Sequence, residues 1–80
     1  MAKFEFLGRL SDQLKSPTQL SIPPEITTIS DLRPWLDAKL DCVLLSHVSI
    51  RAIVNKQLAT EASVIADTDE IVFYPPVGGG

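Results

Sequence analysis

The residues best suited to chemistry stand at the end of the chain, in Pro75-Pro76-Val77-Gly78-Gly79-Gly80. Glycine carries no Cβ, so a glycine run can thread a narrow channel and bring its backbone close to a reacting group. Proline fixes φ and removes an amide donor, so Pro75 and Pro76 interrupt regular structure and stiffen the stem of the run. Such an end adds little to a core. It suits the presentation of a carboxylate, that of Gly80, to another molecule. A carboxylate is unreactive as an acyl group until one oxygen becomes a good leaving group, so its use requires activation.

The other candidate residues point to simpler roles. His47 has no second histidine and no cysteine at ligand spacing, and a metal site needs three or four ligands, so it reads as a loop or surface histidine. Cys42 stands in an apolar stretch, Cys42-Val43-Leu44-Leu45, and reads as a buried structural thiol rather than a nucleophile. Asp67, Asp69 and Glu70 lack the glycine of a calcium loop and read as a solvated turn. No glycine-rich loop opens a helix, so no phosphate cradle is expected and the chain should bind neither ATP nor any other cofactor by itself.

The 80 residues suffice for one small domain. A 45% hydrophobic and 21% charged composition is that of a folded globular chain. The net charge of -3 and the scattering of the seven basic residues argue against a nucleic-acid partner. A single cysteine excludes an internal disulfide and fits a reducing compartment. Glu5 sits where a signal peptide needs apolar residues, and no apolar run approaches bilayer length. A cytoplasmic protein with no membrane partner is expected.

The elements that must position the tail follow from pattern. Lys3 to Leu7 alternates as a half-buried strand, with Phe4 and Phe6 inward and Leu7 outward beside Lys3 and Glu5. Gly8 breaks the alternation. Leu7, Leu10 and Leu14 have helical spacing, so Gly8 to Lys15 reads as a short helix or turn that Pro17 closes. Thr18 to Ile22 reads as a second strand, ended by Pro23-Pro24. Ile29, Leu32, Trp35, Leu36 and Leu40 form one helical stripe, capped by Thr28 or Ser30, with Pro34 inside or near the first turn. Ile50 to Val54 is a third strand, Asn55-Lys56 a turn, Gln57 to Ala59 a short returning strand, and Glu70 to Tyr74 the last strand. One helix over one face of a mixed sheet makes an α+β two-layer domain over residues 1–74. Residues 75–80 form its flexible tail.

The outward face of that sheet is unusual. A one-sided sheet should show polar residues to solvent. Here Leu7 and Tyr74, joined by Leu58 from the turn region, offer apolar surface at the same end of the chain as the tail, the pattern of an interface.

Over Ile50 to Gly80 the sequence resembles the small subunit of molybdopterin synthase, a sulfur carrier with the ubiquitin-like β-grasp fold. The resemblance rests on Ala52-Ile53-Val54-Asn55 and on Asp69-Glu70-Ile71-Val72-Phe73-Tyr74-Pro75-Pro76-Val77-Gly78-Gly79-Gly80. Gly78, where the family often has another small residue, and Pro34 in the helix depart from its pattern. The resemblance implies that an adenylating, ubiquitin-activating-like enzyme activates Gly80 with ATP and that a sulfur donor converts it to a thiocarboxylate. It implies that Pro75, Pro76, Val77, Gly78 and Gly79 then insert into the large catalytic subunit, within a heterotetramer. There the sulfur passes to a cyclic pyranopterin precursor in molybdenum cofactor biosynthesis. Leu7, Leu58 and Tyr74 fall at positions of the family's partner-binding surface. The alternatives are a sulfur carrier for thiamine or another pathway, a ubiquitin-like protein modifier, and a non-catalytic interaction module.

Overall fold

The computed structural model describes residues 1–47 and 49–76. Five strands, β1 (Ala2–Phe6), β2 (Thr18–Leu20), β3 (Arg51–Val54), β4 (Gln57–Leu58) and β5 (Glu70–Tyr74), form one sheet in the order β2-β1-β5-β3-β4. β1 and β5 run parallel at its centre, and the other three pairings are antiparallel. The helix α1 (Ile29–Leu40) lies between β2 and β3 in the chain, and a 3-10 turn, Gly8–Asp12, follows β1. The expected order of elements is thus present. The ambiguous stretch after Gly8 is the 3-10 turn, and β2 stops at Leu20, short of the expected Ile22.

Alternation sets the two faces. Phe4, Phe6, Ile71, Phe73 and Ala52 point into the core, where they join Ile29, Leu32 and Leu36 of α1 in a single buried cluster. The register places Phe6 beside Phe73, and their rings stack with centroids 6.2 Å apart. Full burial of each such ring contributes on the order of 2–3 kcal/mol.

Thr28 caps the helix: its side chain accepts from the Asp31 amide at 3.2 Å. The two amides before that one find carbonyls in the segment joining β4 to β5, Ile29 on Ser63 and Ser30 on Glu61. The first amides of α1, which no helical carbonyl can reach, are thereby satisfied. Asp31 in turn accepts from Thr27, whose amide holds the carboxyl below its usual value. With Thr28 as cap, Pro34 lies inside the helix and leaves the Ser30 carbonyl without its usual partner.

The helical stripe differs from expectation in one respect. Arg33 and Asp37 are buried and Trp35 is only half-buried, with the Lys39 ammonium over its ring. At about 100° per residue, Arg33 and Leu40 fall alongside Ile29 and Leu36, whereas Trp35 falls well to one side. Both buried charges are fully partnered. The Arg33 guanidinium grips Glu61 in a fork at 2.8–3.1 Å, donates to the carbonyls of Leu45 and His47, and stands over the Phe73 ring. Asp37 accepts from the Leu45 and Ser46 amides at 2.8 and 2.9 Å, from the Ser46 hydroxyl and from the Cys42 thiol. The stretch after α1, unreadable from pattern, is a series of turns that these two residues hold to the helix.

Cys42 is half-buried rather than buried, and its thiol donates to the Asp37 carboxylate. Burial raises its pKa above the usual thiol value, and the neighbouring carboxylate adds to the effect, so the thiolate is disfavoured.

Two stability predictions follow from the helix. Asp37→Ala strands the buried Leu45 amide and the part-buried Ser46 amide and should cost roughly 2–4 kcal/mol in urea unfolding. Pro34→Ala, at an exposed position, returns a donor to the Ser30 carbonyl. It should stabilise by about 1–2 kcal/mol, because the recovered bond and relieved clash outweigh the added freedom of the unfolded chain.

Candidate functional site

The sheet face opposite α1 carries the site. Pairing across it aligns Glu5 with Val72, Val72 with Ile53, and Ile53 with Leu58. Two residues along, Tyr74 stands opposite Arg51, and the Leu7 amide donates to the Phe73 carbonyl at 3.0 Å, which brings Leu7 beside Tyr74. Leu7 is 47% and Leu58 72% exposed, well above what packing would leave to a core residue. Leu7, Gly8, Ile53, Tyr74, Pro75 and Pro76 line one apolar groove at the end of β5.

Of the three expected surface residues, Leu7 and Tyr74 therefore meet directly in the groove. Leu58 is on the same face but outside the groove, linked to it through Ile53. Val72 shares this face with Tyr74, as the alternation of the last strand predicts, and Ile53, which no sequence expectation placed there, joins it; both are half-buried. The signal for Ile53 is the same alternation, since its neighbour Ala52 points inward. Gly8 was noticed only as a break, yet it lines the groove wall.

Pro75 and Pro76 continue directly from β5 into the groove without regular structure. The expected roles of Val77, Gly78 and Gly79 in insertion, and of Gly80 as the acyl group, fall on residues outside those described. The charged surroundings are mixed. Arg51 gives the Tyr74 side of the face an exposed cation, and Lys3 pairs with Glu5 at 3.6 Å at the far end.

The remaining candidates lie away from this groove. His47 is exposed and takes part through its backbone, accepting from Arg33 and from the Ile50 amide. Asp67 and Asp69, read as solvated acids, are backbone acceptors: Asp67 takes the Ile22 amide and Asp69 the Ala66 amide. Asn55 bonds Asp69 and both backbone groups of Glu70, tying the β3–β4 hairpin to the start of β5. Among the described residues no three His, Cys, Asp or Glu side chains gather as a metal site. Nor is any helix among them long and apolar enough to cross a membrane.

Comparison with known proteins agrees with this architecture. SAMP1 from Haloferax volcanii superposes with a TM-score of 0.75 at 21% identity, over 99% of this chain and 98% of that one. The Haloferax volcanii HVO 2177 protein superposes at 0.74 and 16% identity, over 99% of this chain and 85% of its own. At such identities the likeness establishes the fold, a ubiquitin-like β-grasp. No curated protein matches the sequence. The ThiS family matches residues 4–80, nearly the whole chain and the tail with it. The match over residues 4–80 places this chain, a β-grasp domain whose apolar face runs into a proline stem, in the ThiS family of ubiquitin-like sulfur carriers.

Proposed function

We propose that this chain is the sulfur-carrier subunit of a molybdopterin synthase. The observation that carries the reading is the continuity of the exposed apolar face with the Pro75-Pro76 stem and, in sequence, with Val77-Gly78-Gly79-Gly80. Membership of the ThiS family supports a sulfur carrier in general. The stretch Phe73-Tyr74-Pro75-Pro76-Val77 favours the molybdopterin branch over thiamine synthesis or protein modification.

In this reading the domain works as a handle and the reaction occurs on the tail. A Gly80 carboxylate oxygen attacks the α-phosphorus of ATP in the activating enzyme, and pyrophosphate leaves. Sulfide from a donor then attacks the acyl carbon, and AMP leaves with the oxygen, so that one carboxylate oxygen is replaced by sulfur. Gly79 and Gly80 give the phosphate and the donor an approach that any Cβ would obstruct. The same face, with Leu7, Leu58 and Tyr74 as anchors, docks first on the activating enzyme and later on the large catalytic subunit. The stiff stem lowers the entropy lost when the tail enters each active site. There the thiocarboxylate sulfur bonds to a carbon of the pyranopterin precursor, and an oxygen leaves that carbon. Water then cleaves the acyl carbon–sulfur bond, which returns the Gly80 carboxylate and leaves the sulfur on the precursor. No thiol of the domain takes part, which agrees with the disfavoured thiolate of Cys42.

Incubation with ATP, the cognate activating enzyme and a sulfur donor should raise the intact mass by the difference between one sulfur and one oxygen atom. Removal of Gly79 and Gly80 should abolish that change while leaving the melting temperature unaltered. Addition of the large subunit and the precursor should return the mass to its starting value. An unchanged mass in the first step would overturn the carrier reading. Isopeptide adducts on lysines in place of sulfur transfer would assign the chain to the protein modifiers.

A further inference from the structure

One contact in the groove bears on the course of the chain beyond it. Gly8 has φ +59°, and a Cβ built on it would lie 3.1 Å from Cγ and 3.3 Å from Cδ of Pro75. The closer distance is tighter than an ordinary carbon contact, and a pyrrolidine ring cannot rotate away as a flexible side chain would. Pro75 therefore sits directly on the Gly8 backbone.

The register shows why a steric seat matters at this point. The Leu7 amide bonds to the Phe73 carbonyl, one step past the last registered pair of the parallel ladder, Phe6 with Phe73. In such a ladder the Leu7 carbonyl would next accept from the amide of residue 75, and proline has none. Hydrogen bonding stops guiding the chain there, and contact with Gly8 takes over. The seat itself is fixed. Gly8 opens the 3-10 turn, its carbonyl accepts from the Ser11 hydroxyl at 2.8 Å, and Leu10 two residues on is buried.

We propose that Gly8 is a positioning residue for the tail: the bare backbone at 8 lets Pro75 seat, and the seated ring sets the direction in which the chain leaves the sheet. The catalytic consequence rests on the proposed function, in which the tail works by insertion; the direction of exit does not. A side chain at 8 lifts Pro75 and re-aims the glycines, while the docking face keeps its anchors.

Gly8→Asn separates this role from a simple need for positive φ. Asparagine tolerates the left-handed region, so the turn is kept while a Cβ is introduced. In the full chain, the nuclear magnetic resonance signals of the Val77 to Gly80 amides should shift in Gly8→Asn. Those of Val72 and Phe73 should stay in place, and the melting temperature should remain near wild type. With the cognate activating enzyme and ATP, kcat for adenylation should fall about tenfold, a larger change than any in KM. Leu58→Glu, which damages docking, should instead raise KM. A variant with unmoved tail amides and wild-type kcat would overturn the proposal and confine Gly8 to the turn. Should the wild-type chain itself fail to be adenylated, the proposed function falls, and the tail amide signals alone decide the role of Gly8. Should Gly8→Asn fail to fold, Gly8→Ala read by the same amide signals decides it.

Discussion

The structure depends on β5, a strand asked to do three things at once. It pairs with β1 on one side and β3 on the other, buries Ile71 and Phe73 on one face, and offers Val72 and Tyr74 on the other. Phe73 is the pivot. Its ring stacks on Phe6, its backbone carbonyl accepts from Leu7, and the Arg33 guanidinium stands 5.9 Å from its centroid. With both neighbours in place, β5 cannot slip by one residue without exchanging its faces, sending Phe73 to solvent. That constraint fixes which side chains reach the outward face and where Pro75 leaves the sheet.

Arg33 and Asp37 extend the same order to the loop beneath. An isolated buried charge would be costly, but here each is surrounded by groups of opposite need: carbonyls and a carboxylate for Arg33, amides, a hydroxyl and a thiol for Asp37. One helix face thus holds both the donors and the acceptors of the following turns. A domain this small has little apolar area to spare, and these bonds give a long connection a single conformation.

Much of this was legible in the sequence. The alternation of Phe4 and Phe6, the β-rich run from Glu70 to Tyr74 and the turn residues Asn55 and Lys56 predict their elements because burial and turn chemistry act locally. Asn55 and Lys56 both adopt positive φ, as a tight two-residue hairpin requires. Leu7 and Tyr74 mark the apolar outward face by being apolar where the alternation requires polar residues. What escaped notice depends on partners distant in sequence. Arg33 looks like a solvated helix charge until Glu61 is brought 28 residues back to meet it. Ile53 is an ordinary strand residue until Val72 and Leu58 flank it. Gly8 matters only because Pro75 lands on it.

The central claim is that the outward sheet face and the stem at the end of β5 form one working surface. Amide shift mapping of the isotope-labelled chain titrated with its activating enzyme tests this most directly. The account predicts that the largest changes fall on Leu7, Gly8, Ile53, Leu58, Val72 and Tyr74 and continue into the terminal glycines. Changes confined to the exposed side of α1, around Ser30, Ala38 and Lys39, with the sheet face unperturbed, would contradict it.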